Sequence, residues 1–163
     1  MRLDGGHTRY SPQFTYYWGP FGAMGEYVRS STDVRRLGAT EQFENDAWQL
    51  ALHYVLTGEN ASYRGVVPRS PFSPEHGTWG AFEIAARYHE LHVDPDAFSL
   101  GFADPLVSAE DAEAWGVGVN WYMNRWLKLV LDFERTRFDG GGGAVRDDRE
   151  TESAILFRMQ LAY

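Results

Sequence analysis

The sequence predicts an all-β fold, an antiparallel meander of about seven strands, and three observations carry that expectation. Apolar residues recur at every second position along most of the chain. No segment shows a sustained helical period; only a short helical turn near "SAEDAEA", capped by Ser108, is expected. The chain is also 44% hydrophobic and 15% aromatic, yet its mean hydropathy is −0.43. No run approaches the ~18 apolar residues a transmembrane helix needs, whereas a transmembrane strand needs only about 9–11 with one apolar face.

The strands follow in order. Two runs near residues 8–18 and 21–31 alternate loosely. In "AWQLALHYVLT" (47–57), Trp48, Leu50, Leu52, Tyr54 and Leu56 share one face, opposite Gln49, Ala51, His53 and Val55. In "WGAFEIAARYH" (79–89), Phe82, Ile84, Ala86 and Tyr88 oppose Glu83, Ala85, Arg87 and His89. "AWGVGVNWYM" sets Trp115, Val117, Val119, Trp121 and Met123 against Gly116, Gly118, Asn120 and Tyr122. "LKLVLDFE" sets Leu127, Leu129, Leu131 and Phe133 against Lys128, Val130, Asp132 and Glu134. The last run, "AILFRMQLAY", sets Ile155, Phe157, Met159, Leu161 and Tyr163 against Leu156, Arg158, Gln160 and Ala162.

Connections come in two sizes. "WGPF" (18–21) and "MNRW" (123–126) read as tight turns, and residues 32–46, 90–112 and 138–150 as long polar loops. Alternating short turns and long loops are what outer-membrane barrels show. Residues 58–78 break the rule, being long but on the short-turn side by parity. The mixed face carries Ala51, Ala85, Gly116, Gly118 and Ala162 among isolated charges, which suits a wet, partly filled lumen. A sandwich would normally show water a face rich in Lys, Glu and Thr. A membrane barrel and a soluble β-sandwich or lipocalin-like binding module both remain open on pattern alone.

Charge narrows the partners. The net charge is −8, and the 15 basic residues include one lysine, Lys128. Without a basic stripe to neutralise phosphates, nucleic acid is not an expected partner. No cysteine is present, so disulfide and thiol chemistry are excluded. The start, "MRLDGGHTRYSPQ", carries no charged-then-apolar signal segment.

Four stretches, in order, resemble the phosphate-selective porin O and P family of Gram-negative outer membranes. They are "VLTGE" (55–59), "WGAFEIAARYHEL" (79–91), "AWGVGVNWYMNRWLKLVLDFERTRFDGG" (114–141) and "RETESAILFRMQLAY" (149–163). The resemblance implies that the chain, read as one domain over 1–163, is the C-terminal portion of a sixteen-stranded transmembrane outer-membrane barrel, truncated at its N-terminus. It implies a homotrimer in the full-length form that passes small anions, with phosphate or polyphosphate as candidates; a non-specific porin is the nearer alternative. It also implies that Phe157, Leu161 and Tyr163 form the closing-strand signal read by the barrel-assembly machinery. Outer-membrane lipid and lipopolysaccharide are the implied surroundings, with Arg135 and Arg137 near the external end of their strand.

A porin performs no bond chemistry, so the candidate residues are those that line water. Arg87, Lys128 and Arg158 face Glu83, Asp132 and Glu134 on the mixed side; with Arg9 and Glu26 the signs balance. Within the odd turn, Arg64 and Arg69 are candidate constriction residues, wedged by Tyr63 and Phe72. Catalytic residues, metal ligands and cofactors are not expected. No nucleophile sits beside a base, and among His53, His89 and His92 only the last two are closely spaced. The acidic loop residues Asp94, Asp96, Asp104, Glu110, Asp111 and Glu113 read as solvated, and "DGGGGAVRDD" as a flexible loop.

Overall fold

The computed structural model describes residues 6–36, 39–144 and 147–162. One antiparallel sheet holds eight strands: β1 (His7–Tyr10), β2 (Gln13–Trp18), β3 (Phe21–Arg36), β4 (Ala39–Val55), β5 (Ala81–His92), β6 (Ala109–Tyr122), β7 (Leu127–Gly140) and β8 (Glu152–Leu161). β1 and β2 both pair with β3, in one continuous register from His7↔Thr32 to Trp18↔Phe21. They are a single pass interrupted at Ser11–Pro12, because proline has no N–H to add to the ladder. The Pro12 carbonyl still accepts from the Tyr27 N–H at 3.1 Å. The sheet is therefore a seven-pass meander, as the alternation predicts.

The sheet lies open, with β1–β2 at one edge and β8 at the other. Among the described residues no second layer covers its apolar face. Leu131 is 54% exposed, Phe157 70% and Leu161 69%, and Leu50, Leu52, Ile84, Val117 and Val119 on the same face are also exposed. A β-sandwich would bury these side chains against a second sheet; here they cover a continuous outward surface. That surface suits hydrocarbon and leaves the soluble sandwich without a core.

The tight turns fall where expected. Gly19 (φ 55°) and Pro20 join β2 to β3, and the Asn124 Oδ1 accepts from the Trp126 and Leu127 N–H groups in the turn before β7. The long loops are shorter than the sequence suggests. β3 and β4 stay paired from Phe21↔Tyr54 out to Arg36↔Ala39, through most of the segment read as a loop over 32–46. Their polar ends remain strand because neighbouring strands satisfy each other's backbone in water as well as in lipid. The turn expected near residue 108 is also displaced. Ala109 already begins β6, and the helical turn is α1 (Asp96–Ser99).

At the loop end, residues 93–108 fold across the inner face. Phe102 meets Phe43 edge-on at 4.9 Å, and the Asp94 carboxylate accepts from the Glu44 N–H at 2.8 Å. The glycine run is tied rather than free: the Gly141 and Gly143 N–H groups donate to the Pro105 and Leu106 carbonyls at 3.2 and 2.8 Å. Charging the outward face is expected to be costly where the inward face tolerates it. Leu131→Arg should lower unfolding free energy in lipid vesicles by about 2–4 kcal/mol, read by urea titration, whereas Leu156→Arg on the inward face of β8 should change it far less.

Candidate functional site

The inner wall is built from alternate residues of every strand, and its glycines have a specific use. A Cβ at Gly118 would lie 2.0 Å from the Asp132 Oδ1, and one at Gly22 would lie 2.2 Å from the His53 Nε2. These positions seat the long side chain of the paired strand flat against the sheet. What reads as small-residue filling is thus space already taken by a neighbour.

Residues 56–80 cross the turn end of the wall on its inner side. Ala61 and Val66 are buried in one cluster with Val55, Ala81 and Tyr122 of the wall. The Ala61 N–H donates to the Gly19 carbonyl at 2.8 Å, and the Phe72 N–H to the Met123 carbonyl at 2.6 Å, so both neighbouring tight turns hold the segment. Its middle is closed on itself by Glu59, which is 7% exposed. That carboxylate accepts from the Thr57 hydroxyl and from the Arg69 N–H at 3.1 Å, while the Arg69 guanidinium donates to the Gly58 carbonyl at 2.6 Å. Burial disfavours the charged form, yet the Thr57 and Arg69 hydrogen bonds and the Arg69 charge together hold the Glu59 carboxyl below its ordinary range.

The segment then passes over the rim to the outward face. There Phe72, Trp79, Phe82 and Trp121 form an aromatic group; Phe82 stacks on Trp121 at 5.7 Å, and Phe72 meets Trp121 edge-on at 5.2 Å. The Trp121 Nε1–H donates to the Trp79 carbonyl at 2.5 Å. Such rings with one polar handle sit at a membrane–water boundary. Gly80 makes the return into β5 possible. Its φ is +76°, and a Cβ there would lie 2.2 Å from the Tyr122 carbonyl oxygen.

Beneath the segment lies a polar group that the sequence does not reveal as a unit. Glu83, only 5% exposed, accepts from the Tyr122 hydroxyl at 2.7 Å and the Asn120 amide at 3.4 Å, and lies 2.5 Å from the His53 Nδ1. Glu83 stands on the inner face as its parity requires, but it is covered instead of lining open water. His53, Asn120 and Tyr122 were missed as site residues; their shared face with Glu83 at the end crossed by the long segment was the available signal.

The other candidates divide by position. Arg87 and Glu134 form an ion pair on the inner wall. Asp132 lies over Gly118. Lys128 sits over the Tyr122 ring at 5.2 Å and near Arg158 and Asp132. Arg64 is exposed beside this group, lining a recess with Tyr17, Lys128 and Gln160. Arg69 is spent on the Gly58 carbonyl, Tyr63 is 75% exposed, and Phe72 packs outward, so Ala61 and Val66 are the residues that wedge the segment inward. Phe157 and Leu161 project outward from β8; Tyr163 lies outside the described residues. No group of three or more metal-ligating side chains occurs among the described residues.

Residues 2–163 match the phosphate-selective porin O and P family. The chain belongs to that family. It is similar to Porin O of Pseudomonas aeruginosa, with 30% identity over 126 residues, which is 74% of this chain and 28% of that protein. The chain thus spans little more than a quarter of the porin it matches. An antiparallel meander with one apolar and one mixed face agrees with that membership.

Two outcomes are expected from the segment. Because the folded Glu59 carboxyl is held low, its stabilising effect is present above the ordinary carboxylate range and is lost as pH falls through the lowered folded value. Amide protection factors across 57–69, corrected for the intrinsic pH dependence of exchange, should therefore fall on acidification below the ordinary carboxylate range, and Glu59→Gln should flatten that dependence. Gly80→Ala, with both a disfavoured φ and a backbone clash, should destabilise the fold by at least about 2 kcal/mol, read from the shift of the thermal gel-mobility transition.

Proposed function

We propose that this chain forms part of the wall of an outer-membrane channel through which small anions, including phosphate or polyphosphate, diffuse passively, with residues 56–67 narrowing its turn-side mouth. The observation that carries the reading is the opposition of faces: exposed Leu, Val, Ile and Phe on one side, and on the other Arg87, Glu134, Asp132, Lys128 and Arg158 beside a segment anchored at both tight turns. Charges aimed at a water-filled passage set local ion concentration and barrier height without bond chemistry.

The distribution of charge supports anions more than its count does. Arg87 is neutralised by Glu134 on the wall, whereas Arg64 and Arg125 gather at the turn end with Lys128, which Asp132 and Glu83 offset in part, and no carboxylate lines the recess among the described residues. Passage is then uncatalysed, and no cofactor enters the reading. The complete protein would assemble as a homotrimer in a Gram-negative outer membrane, with lipopolysaccharide around its loop end. The exposed apolar row of β8, Phe157 and Leu161 included, supports recognition by the barrel-assembly machinery.

Planar-bilayer recordings on the natural-length protein test this reading. Anion over cation permeability in KCl and a current reduced by millimolar phosphate are expected. Arg64→Glu should shift the reversal potential towards cations. A pore with cation preference, or no pore at all, would overturn the proposal.

A further inference from the structure

At the turn end, a recess of about 310 Å³ opens between residues 62–67, the turn at 124–126 and the start of β7. Three elements each contribute one cation to it: Arg64 from the crossing segment, Arg125 from the tight turn and Lys128 from β7. Arg125 lies over the Trp126 ring at 4.6 Å, and Lys128 over the Tyr122 ring at 5.2 Å. Among the described residues neither the Arg64 guanidinium nor the Lys128 ammonium has a hydrogen-bonded acceptor, and no Asp or Glu lines the recess. The carboxylate beneath, Glu83, is buried and occupied by Tyr122, Asn120 and His53.

Size and lining say what would fill it. A bare oxyanion would occupy only a fraction of this volume, which lies at the small end of organic-ligand pockets. Tyr17, Tyr63 and Gln160 line the recess together with the cations. A guanidinium fork suits a phosphate or carboxylate group, and ring faces with polar tips suit an attached planar group. We propose that this recess is a binding subsite for ring-bearing organic anions, in which Arg64 and Lys128 hold the charged group and the tyrosines hold the ring. The subsite rests on the channel reading only in being placed on the channel side.

The test uses the natural-length protein extracted in detergent, with 4-nitrophenyl phosphate as probe in equilibrium dialysis and inorganic phosphate and 4-nitrophenol as comparators. Saturable binding of the probe is expected, with each comparator bound at least about tenfold more weakly. Arg64→Ala and Lys128→Met should each weaken the probe about tenfold or more, since each removes a charge-assisted contact. Arg149→Ala, whose side chain pairs with Glu152 in a distant loop, should leave it unchanged. Heat-modifiable gel mobility reports folding of each variant. If Lys128→Met fails to fold, the exposed Arg64 decides. Equal binding of inorganic phosphate, an unaltered Arg64→Ala, or no saturable binding by folded protein would overturn the subsite. Conductance measured on the same preparation separates the two readings: a pore that ignores the probe removes the subsite alone, and probe binding without a pore removes the channel alone.

Discussion

The ladder of backbone hydrogen bonds between neighbouring strands is the constraint on which the other features depend, because hydrocarbon offers an N–H or C=O no other partner. Once each pass from β2 to β8 is paired edge to edge, its side chains must alternate between two surroundings. The outward set can be apolar without any core to receive it. The inward set can be polar and small without lying on an ordinary surface. With so few of the described residues buried, this sheet draws little of its stability from a packed interior. Strand pairing and contact of the outward face with lipid must supply it.

Segment 56–80 is the main departure from that two-sided economy, and its construction explains why it can stay in place. A loop laid over a wall must satisfy its own backbone and that of the wall beneath. Here the Gly19 and Met123 carbonyls accept from the segment, Glu59 closes its middle, and Ala61 with Val66 fills the space over Val55 and Ala81. Covering the wall also buries Glu83, which the Tyr122, Asn120 and His53 partners make tolerable. The same segment crosses the rim and adds Phe72 and Trp79 to the aromatic group outside. One connection therefore covers part of the inner wall and completes the aromatic group at the rim.

Alternation made the seven passes legible, since a period of two needs only the next few residues to be read. Loop lengths were less legible. Thr32, Asp33, Gln42 and Glu44 look like loop because most of that stretch is polar, but a strand standing in water beyond the bilayer is polar too, and its pairing lies in another part of the chain. The same limit applies to Gly118 and Gly22. Their smallness was visible, but its purpose was set by Asp132 and His53 on paired strands. The glycine run after Asp139 looked free because its partners, Pro105 and Leu106, lie in a different loop.

By itself the sequence determined the class of fold, the face each residue takes and the family, because these follow from local alternation and from motifs in order. It also placed Arg87, Lys128, Asp132, Glu134 and Arg158 on one side. Only the tertiary structure decided which of these charges meet: that Arg87 is neutralised by Glu134, that Glu83 is covered, that Arg69 is spent on the backbone while Arg64 stays available. Those outcomes depend on strand register and on how a long connection folds over residues distant from it in the chain, which a local pattern does not encode.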